Sequence, residues 1–385
     1  MRVTAVETIQ LGEFPNLCLV RLHTDEGLVG LGETFWGPAT VAAYVHESVA
    51  PRLLGQDPLQ IERHFLRLAG RGLRALGAEG RALSAVDIAL WDLFGQAADR
   101  PIWQLLGGAA RERIRVYNTC AGYVASDWGI GGPRDGPYED HLATFERPEE
   151  LVESLLAEGY SAMKIWPFET GEGGRWYVER DDLERGLEPL RRIRRAVGDR
   201  IDVLLDCGRW SLPLARRIAQ AAEEYAPFWL EDALSPEEPA AWRELAAATR
   251  VPLAGSEELG GRQAFRGLLE NGVQIALFDP GWVGGISEAR SVAALAEAYQ
   301  RPFCPHDCTG PVALWAGLHL CIHARNAMMQ EVVRAYLAGA YGQIVTALPR
   351  IEAGYAYAPT APGLGAALRD DFLRRPDAHR RRSGV

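Results

Sequence analysis

Acidic residues close a series of short apolar runs at nearly equal intervals along this chain. The runs IDVLLD, PFWLE and PLAGSE end at Asp206, Glu231 and Glu257, which are 25 and 26 residues apart. One strand, one helix and two loops take about that many residues, and parallel strands joined by helices point their carboxyl ends the same way. The spacing therefore predicts successive β/α units that bring the three carboxylates to one mouth.

The same rhythm continues on both sides of these acids. Later apolar runs end at Asp279, His306 and Glu331, and an earlier run, GYSAMKIW, carries Lys164 in the equivalent position. Helical patterns alternate with such runs from RIRVYN onward, which predicts eight strands and seven intervening helices. A parallel α/β barrel is the fold that this alternation favours, and its active site is expected at the carboxyl face of the strands.

The three evenly spaced carboxylates predict a metal site. Close together in one mouth they would repel one another strongly unless a cation lay between them. A set of oxygen ligands suits Mg²⁺, which prefers octahedral oxygen coordination. Chance spacing of surface acids is the alternative, because the chain has 51 acidic residues. The continued rhythm favours Asp206, Glu231 and Glu257 as metal ligands.

Size and charge limit the partners of such a barrel. A chain of 385 residues, 48% of them hydrophobic, is long enough for a barrel and a smaller second unit. The net charge of −10 argues against nucleic acid or an anionic membrane as a partner. The stretch MRVTAVETIQL does not resemble a signal peptide, and no apolar stretch is long enough to cross a bilayer. We therefore expect a cytoplasmic protein.

The chain divides into two predicted units. Residues 1–108 begin with a three-stranded antiparallel pattern and continue with helical patterns, as in an α+β domain. Residues 109–339 contain the β/α alternation of the barrel. The tail, residues 340–385, is strand-like and then rich in turn residues, and we expect it to return to the first unit.

Several motifs together resemble those of the mandelate racemase group of the enolase superfamily. They are GLVGLGETFWGP, ALSAVDIALWDL, the three spaced acids, FDPGWVGGISEA, PFCPHDCTGP and the final Glu331. The resemblance covers almost the whole chain. It implies a (β/α)7β TIM-like barrel, and an α+β capping domain formed by the N-terminal region and the C-terminal tail. Enzymes of this superfamily use a Lys or His base with Mg²⁺ to form an enediolate.

The resemblance also implies catalytic roles for four strand-end residues. His306 is expected to be the base, and Asp279 its orienting partner. Lys164 is expected to support Mg²⁺ in stabilising the substrate carboxylate as negative charge develops there. Glu331 is expected to donate a hydrogen bond or a proton to the enediolate.

Two departures from the family pattern limit the types of reaction that we expect. The family's Lys-x-Lys pattern reads Lys164-Ile165-Trp166 here, so a tryptophan replaces the second lysine, which is a base in relatives. Some sugar-acid dehydratases of the family carry a histidine where this chain has Gly208. A transfer that inverts a carbon centre generally needs bases on both faces of the enediolate, whereas a dehydration needs one. The departures therefore favour dehydration.

We predict a Mg²⁺-dependent acid-sugar dehydratase, a hydro-lyase that gives a 2-keto-3-deoxy sugar acid. A racemase, epimerase or cycloisomerase of the same superfamily is one alternative, and a non-catalytic ligand-binding barrel is another. The predicted contacts with the small sugar acid substrate are Trp166, Trp36 and Tyr123. The family resemblance also leads us to expect a homo-oligomer.

Overall fold

The protein's computed structural model describes residues 1–70, 77–122, 130, 136–168 and 180–384. An antiparallel sheet covered by helices forms the first part. Its strands are β1 (Val3–Leu11), β2 (Phe14–Thr24) and β3 (Val29–Phe35). The helices that follow are α1 (Pro38–Tyr44), α2 (Ala50–Leu53), α3 (Ile61–Ala69), α4 (Ala78–Ala98) and α5 (Ile102–Leu105), with a π-helical segment, Val45–Val49, between α1 and α2.

Glycines allow strand β3 to lie directly on helix α4. A Cβ atom at Gly32 would come 1.8 Å from the carbonyl oxygen of Ala85, so only glycine permits this approach. Asp92 of α4 accepts hydrogen bonds from the backbone N–H of Leu31, at 2.9 Å, and of Leu364 in the tail, at 2.8 Å. The glycine-rich motif GLVGLGET is therefore explained by close packing between a strand and a helix.

Among the described residues, eight parallel strands form a barrel. They are β4 (Arg113–Thr119), β5 (Ala162–Ile165), β6 (Asp202–Asp206), β7 (Trp229–Glu231), β8 (Leu253–Gly255), β9 (Ile275–Phe278), β10 (Phe303–Pro305) and β11 (Gln330–Val332). Each pairs with the next from β4 to β10, and β11 pairs with β4. A bridge between Phe303 and Ala327 connects β10 to the chain that enters β11, so the barrel closes.

Helices lie on the crossings between the barrel strands. They are α6 (Asp140–Glu146), α7 (Pro148–Ala157), α8 (Arg180–Val197), α9 (Leu212–Ala222), α10 (Pro239–Ala248), α11 (Arg262–Glu270), α12 (Gly285–Ala298) and α13 (Pro311–His323). Helices α6 and α7 share the crossing from β4 to β5, and a short 3₁₀ turn, Glu223–Tyr225, extends α9. In the described part of the chain, the seven crossings therefore match the predicted (β/α)7β order.

The barrel interior is filled with apolar and aromatic side chains below the strand ends. Residues two positions apart on a strand face the same side, so Leu204 and Trp229 lie one layer below Asp206 and Glu231. The other members of this buried cluster are Tyr117, Ala162, Ala254, Ile275, Leu277, Cys304 and Met329. Strands β6 and β7 pair Asp206 directly with Glu231. The two acids therefore end neighbouring strands at the same level of the barrel, as their spacing predicts.

Buried polar contacts fix the first unit against the barrel. Glu33 of β3 accepts hydrogen bonds from the backbone N–H groups of Val312, at 3.3 Å, and Ala313, at 3.0 Å, at the start of α13. Burial raises the pKa of Glu33 to about 8. Thr34 donates a 2.7 Å hydrogen bond to the carbonyl of Gly281, in the loop after β9. These contacts bring the end of β3 to the barrel mouth.

The tail contacts both units. After β11 come α14 (Arg334–Ala338), α15 (Ala340–Ile344), β12 (Ile351–Glu352), β13 (Tyr355–Tyr357), α16 (Asp370–Leu373) and β14 (Ala378–Gly384). Strand β13 pairs with the beginning of β4, whereas β14 pairs with β1 and adds a fourth strand to the first sheet. Arg380 of β14 donates two hydrogen bonds, of 2.8 and 2.6 Å, to the buried Glu7 of β1.

The predicted fold class is confirmed: a (β/α)7β barrel is accompanied by an α+β unit that the tail completes. The predicted three-stranded meander gains β14 as a fourth strand. The limits at residues 108 and 340 stay a prediction. None of the helices in the described ranges is both long and apolar enough to cross a membrane.

We expect Gly32→Ala to lower the free energy of unfolding by about 1 to 3 kcal/mol, because the added methyl group must push β3 away from α4. Denaturant unfolding followed by circular dichroism measures this change. Gly342→Ala in α15 is the matched control, since the nearest atom to its new Cβ would be Leu348 Cδ1, at 3.9 Å. Equal stability of the two variants would contradict the close approach of β3 to α4.

Candidate active site

Three carboxylates converge at the carboxyl end of the barrel. Asp206 ends β6, Glu231 ends β7, and Glu257 lies two residues beyond β8. Each offers an oxygen that lies within 4.8 Å of those of the other two. At such a distance two unit charges repel by about 3 to 4 kcal/mol at an effective dielectric constant of about 20. The cluster therefore requires positive charge nearby.

Lys164 on β5 supplies part of that positive charge. Its Nζ lies 2.6 Å from Glu231 Oε1, 2.9 Å from Glu331 Oε1 and 3.8 Å from Asp206 Oδ2. Burial would lower the pKa of Lys164, but the surrounding carboxylates outweigh burial and raise the pKa well above its usual value. Lys164 is therefore a charged ammonium group.

Glu331 on β11 is held as a charged acceptor. Its Oε2 accepts hydrogen bonds from Tyr117 Oη and from the backbone N–H of Asp307, both at 3.1 Å. Its Oε1 accepts a hydrogen bond from Thr119 Oγ1 and also contacts Lys164. Burial would raise the pKa of Glu331, but the Lys164 ammonium is among the charges that outweigh it, and the pKa is lowered. These contacts indicate that Glu331 balances the charge of Lys164, and the expected donation of a hydrogen bond or a proton to the enediolate stays a prediction.

His306, immediately after β10, directs its Nε2 towards the carboxylate cluster. Its Nδ1 lies 2.8 Å from Asp279 Oδ2, and its Nε2 lies 3.9 Å from Glu257 Oε1. Asp279 is held in turn by Thr309 Oγ1, at 2.9 Å, and by the Gly281 N–H, at 2.5 Å. Burial would lower the pKa of His306, but nearby carboxylates, Glu257 foremost, raise it. The contact between Asp279 and Nδ1 orients the ring so that Nε2 faces the site.

The surroundings of Glu257 indicate that a cation fits between the three acids. Its Oε2 is buried and has no hydrogen-bond partner among the described residues. Burial raises the pKa of Glu257 and of Glu231. A divalent cation held by these two acids and Asp206 would give Oε2 a partner and offset the repulsion. The all-oxygen donor set fits Mg²⁺.

Stacked rings connect Trp36 to His306. The ring centroids of Trp282 and His306 are 5.5 Å apart, and those of Trp36 and Trp282 are 4.9 Å apart, with both pairs stacked. Arg81 of α4 places its guanidinium 5.5 Å from the Trp36 ring and donates a 3.2 Å hydrogen bond to the Trp36 carbonyl. The first unit thus contributes an aromatic wall beside the predicted base.

Trp166 directly follows β5, where the second lysine of the family pattern would lie. Its ring centroid is 5.8 Å from that of His141 in α6. Its buried Nε1 donates to none of the residues that the structure describes. The end of β5 therefore presents an indole in place of an ionisable group. Tyr123, the remaining predicted substrate contact, lies outside the described residues.

Sequence reasoning missed several residues of the site. Tyr117 and Thr119 of β4 both bond Glu331, and the alternation in RIRVYNT was the signal that places them on one face of the strand. The Cys308 thiol lies within 4.8 Å of ligand atoms of His306 and Glu331. The stacking of Trp282 on the base had no recognisable sequence signal, because it depends on the loop after β9.

Family profiles match most of the chain. Residues 2–107 match the profile described as mandelate racemase / muconate lactonizing enzyme, N-terminal domain. Residues 147–372 match the profile described as enolase C-terminal domain-like. A D-xylonate dehydratase from Haloferax volcanii is 31% identical over 378 residues, covering 95% of this chain and 86% of that protein.

Solved structures show the same architecture. An enolase of the mandelate racemase subgroup from Agrobacterium tumefaciens is 43% identical, with a TM-score of 0.90, and the match covers 100% of this chain and 99% of that one. An enolase protein from environmental sequencing of the Sargasso Sea is also 43% identical, with a TM-score of 0.91 and the same coverage. The resemblance inferred from the motifs is confirmed.

We expect the protein to bind Mg²⁺, and Glu257→Gln to weaken that binding by more than roughly tenfold, because a charged oxygen ligand is lost. Isothermal titration calorimetry measures both affinities. Asp202→Asn is the matched control, since Asp202 lies at the opposite end of β6 from Asp206 and pairs with Arg115 at 2.7 Å. Equal Mg²⁺ affinity in Glu257→Gln and the wild type would remove Glu257 from the site.

Proposed function

Because this chain belongs to the mandelate racemase and muconate lactonizing enzyme family, we propose that it is a Mg²⁺-dependent dehydratase of sugar acids. The D-xylonate dehydratase relative supports this reaction class. The observation that carries the proposal is the oriented base, His306 with Asp279, together with Trp166 at the strand-end position where the family pattern has a second base. The product would be a 2-keto-3-deoxy sugar acid.

Charge at the substrate carboxylate is the main obstacle to this reaction, since removal of the neighbouring proton places a second negative charge there. Bound to Asp206, Glu231 and Glu257, Mg²⁺ would supply Lewis-acid stabilisation of that charge. Lys164 adds a fixed positive charge beside the same acids, and Glu331 keeps its ammonium in place through a 2.9 Å contact. The substrate carboxylate is therefore expected to bind at this group of charges.

His306 moves the proton in this proposal. Its Nε2 takes the proton from the carbon next to the carboxylate, while Asp279 at Nδ1 fixes the tautomer and stabilises the imidazolium. His306 then gives a proton to the hydroxyl on the next carbon, which leaves as water when its C–O bond breaks. The enol that remains takes a proton from solvent at carbon 3 and becomes the 2-keto acid.

The surroundings of Lys164 favour dehydration over a racemase, epimerase or cycloisomerase reaction. An inversion generally needs a second base on the other face of the substrate. Lys164 is a candidate for that base, but its ammonium is engaged by Glu231 at 2.6 Å and Glu331 at 2.9 Å. Trp166 instead contributes an apolar surface that excludes water near the reacting carbon.

The proposal includes the predicted substrate contacts. Trp36 and Trp166 are expected to contact the part of the sugar acid beyond its carboxylate, together with Tyr123. Aromatic side chains suit this role because they combine a broad apolar face with a fixed shape. The homo-oligomeric state and the cytoplasmic location stay predictions from the sequence.

A screen of sugar acids that differ in chain length and hydroxyl configuration, D-xylonate included, tests the proposal. With Mg²⁺ present, we expect at least one acid to yield a 2-keto-3-deoxy product, detected colorimetrically, and EDTA to abolish the reaction. A protein that binds Mg²⁺, gives no keto product and exchanges no substrate proton with D₂O for any acid would support the non-catalytic barrel instead.

We expect His306→Asn to lower kcat by about 10²- to 10⁴-fold, the range in which a general base contributes. Asp279→Asn should lower kcat less, because the aspartate orients the ring without reacting itself. Steady-state kinetics on the acid found in the screen measure both effects. His323→Asn is the control, since His323 ends α13 and bonds the Gly108 carbonyl at 3.0 Å. A His306→Asn enzyme with the rate of this control would exclude His306 as the base.

A further inference from the structure

Arg209 joins the residues that follow two of the three proposed metal ligands. Asp232 follows Glu231, and Glu258 follows Glu257. The Arg209 guanidinium lies 2.9 Å from Asp232 Oδ2 through Nη2, and its Nη1 donates to Glu258 Oε2. The side chains are 4% exposed for Asp232 and 13% exposed for Glu258, so solvent screens this bridge only weakly.

The backbone around the bridge is fixed as well. Arg209 lies in the loop after β6, three residues beyond Asp206, and its N–H donates a 2.7 Å hydrogen bond to the Asp232 carbonyl. The φ angles of Arg209 and Asp232 are 63° and 43°, a left-handed conformation that non-glycine residues rarely adopt unless their surroundings hold it. Ser256 also donates a 3.0 Å hydrogen bond to Asp232 Oδ2. One side chain therefore ties together the ends of β6, β7 and β8.

We propose that Arg209 is a positioning residue that sets the spacing of the three acids and thereby the affinity and selectivity of the site for Mg²⁺. Arg209 acts through Asp232 and Glu258, whose neighbours in the chain are the ligands. The inference rests on the proposed function, because it requires that Asp206, Glu231 and Glu257 bind the cation.

Charge and position give opposite expectations for the removal of Arg209. A nearby guanidinium repels Mg²⁺, so if Arg209 acted by charge alone, its loss would strengthen Mg²⁺ binding. If Arg209 acts by position, its loss releases two carboxylates and loosens the ligand loops, and Mg²⁺ binding weakens. Mg²⁺ demands near-ideal octahedral geometry, whereas Ca²⁺ tolerates irregular sites. A loosened site should therefore also lose its preference for Mg²⁺ over Ca²⁺.

Calorimetric titration of the full chain with MgCl₂ and with CaCl₂ tests this proposal. We expect Arg209→Met to raise the Kd for Mg²⁺ by about 10- to 100-fold, with a smaller change for Ca²⁺. Arg209→Lys should also weaken Mg²⁺ binding, because one ammonium keeps the charge but cannot bridge both carboxylates as the planar guanidinium does. Arg192→Met is the matched control. Arg192 of α8 also forms a bidentate ion pair, with hydrogen bonds of 2.7 and 2.6 Å to Glu149 of α7. The control should bind Mg²⁺ like the wild type.

Mg²⁺ binding by Arg209→Met that equals or exceeds that of the wild type would overturn the positioning role. If circular dichroism shows that Arg209→Met does not fold, Arg209→Lys decides the question: weaker Mg²⁺ binding supports the role, and an unchanged Kd overturns it. A wild-type protein that binds no Mg²⁺ would overturn the proposed function itself. The two failures are therefore distinguishable.

Discussion

Repulsion among buried carboxylates is the constraint on which the rest of this site depends. Asp206, Glu231 and Glu257 place oxygens within 4.8 Å of one another, and Glu331 contacts Lys164 at 2.9 Å. Burial raises the pKa of Glu231 and Glu257, and the charge of Asp206 adds to this effect, whereas Lys164 acts against it. A bound Mg²⁺ would offset the repulsion and orient a carboxylate substrate. The repulsion among these carboxylates would thus favour binding of the cation, and the bound cation would favour binding of an acid substrate.

The side chains at the barrel mouth come from several separate strands. Because a parallel barrel points all its strands the same way, residues from β5 to β11 meet at one mouth although they are far apart in the chain. The first unit adds to this mouth through Thr34, which bonds Gly281 in the loop before Trp282. Trp36 then stacks on Trp282, which stacks on His306. The capping sheet therefore shapes the surroundings of the base without supplying a charged group to the acid cluster.

The strand-end residues could be predicted because the β/α rhythm fixes both their spacing and the side of the barrel on which they lie. Asp206, Glu231 and Glu257 needed only that rhythm and the alternation of strand side chains. The bridge made by Arg209 could not be predicted, because its left-handed backbone and its two partners depend on how three loops fold against one another. The role of Glu331 as a charged acceptor beside Lys164 also needed the structure, since its partners Tyr117 and Thr119 lie on a strand that carries no acid.

The central claim is that one base, His306, acts in a Mg²⁺ site where Trp166 replaces the second base. The most direct measurement follows the reaction in D₂O by NMR, using the sugar acid that the protein consumes. A one-base dehydration predicts a 2-keto-3-deoxy product that carries deuterium at carbon 3, together with recovered substrate of unchanged configuration. Recovered substrate that is inverted and deuterated at carbon 2, with no keto product, would contradict the account and identify Lys164 as a second base.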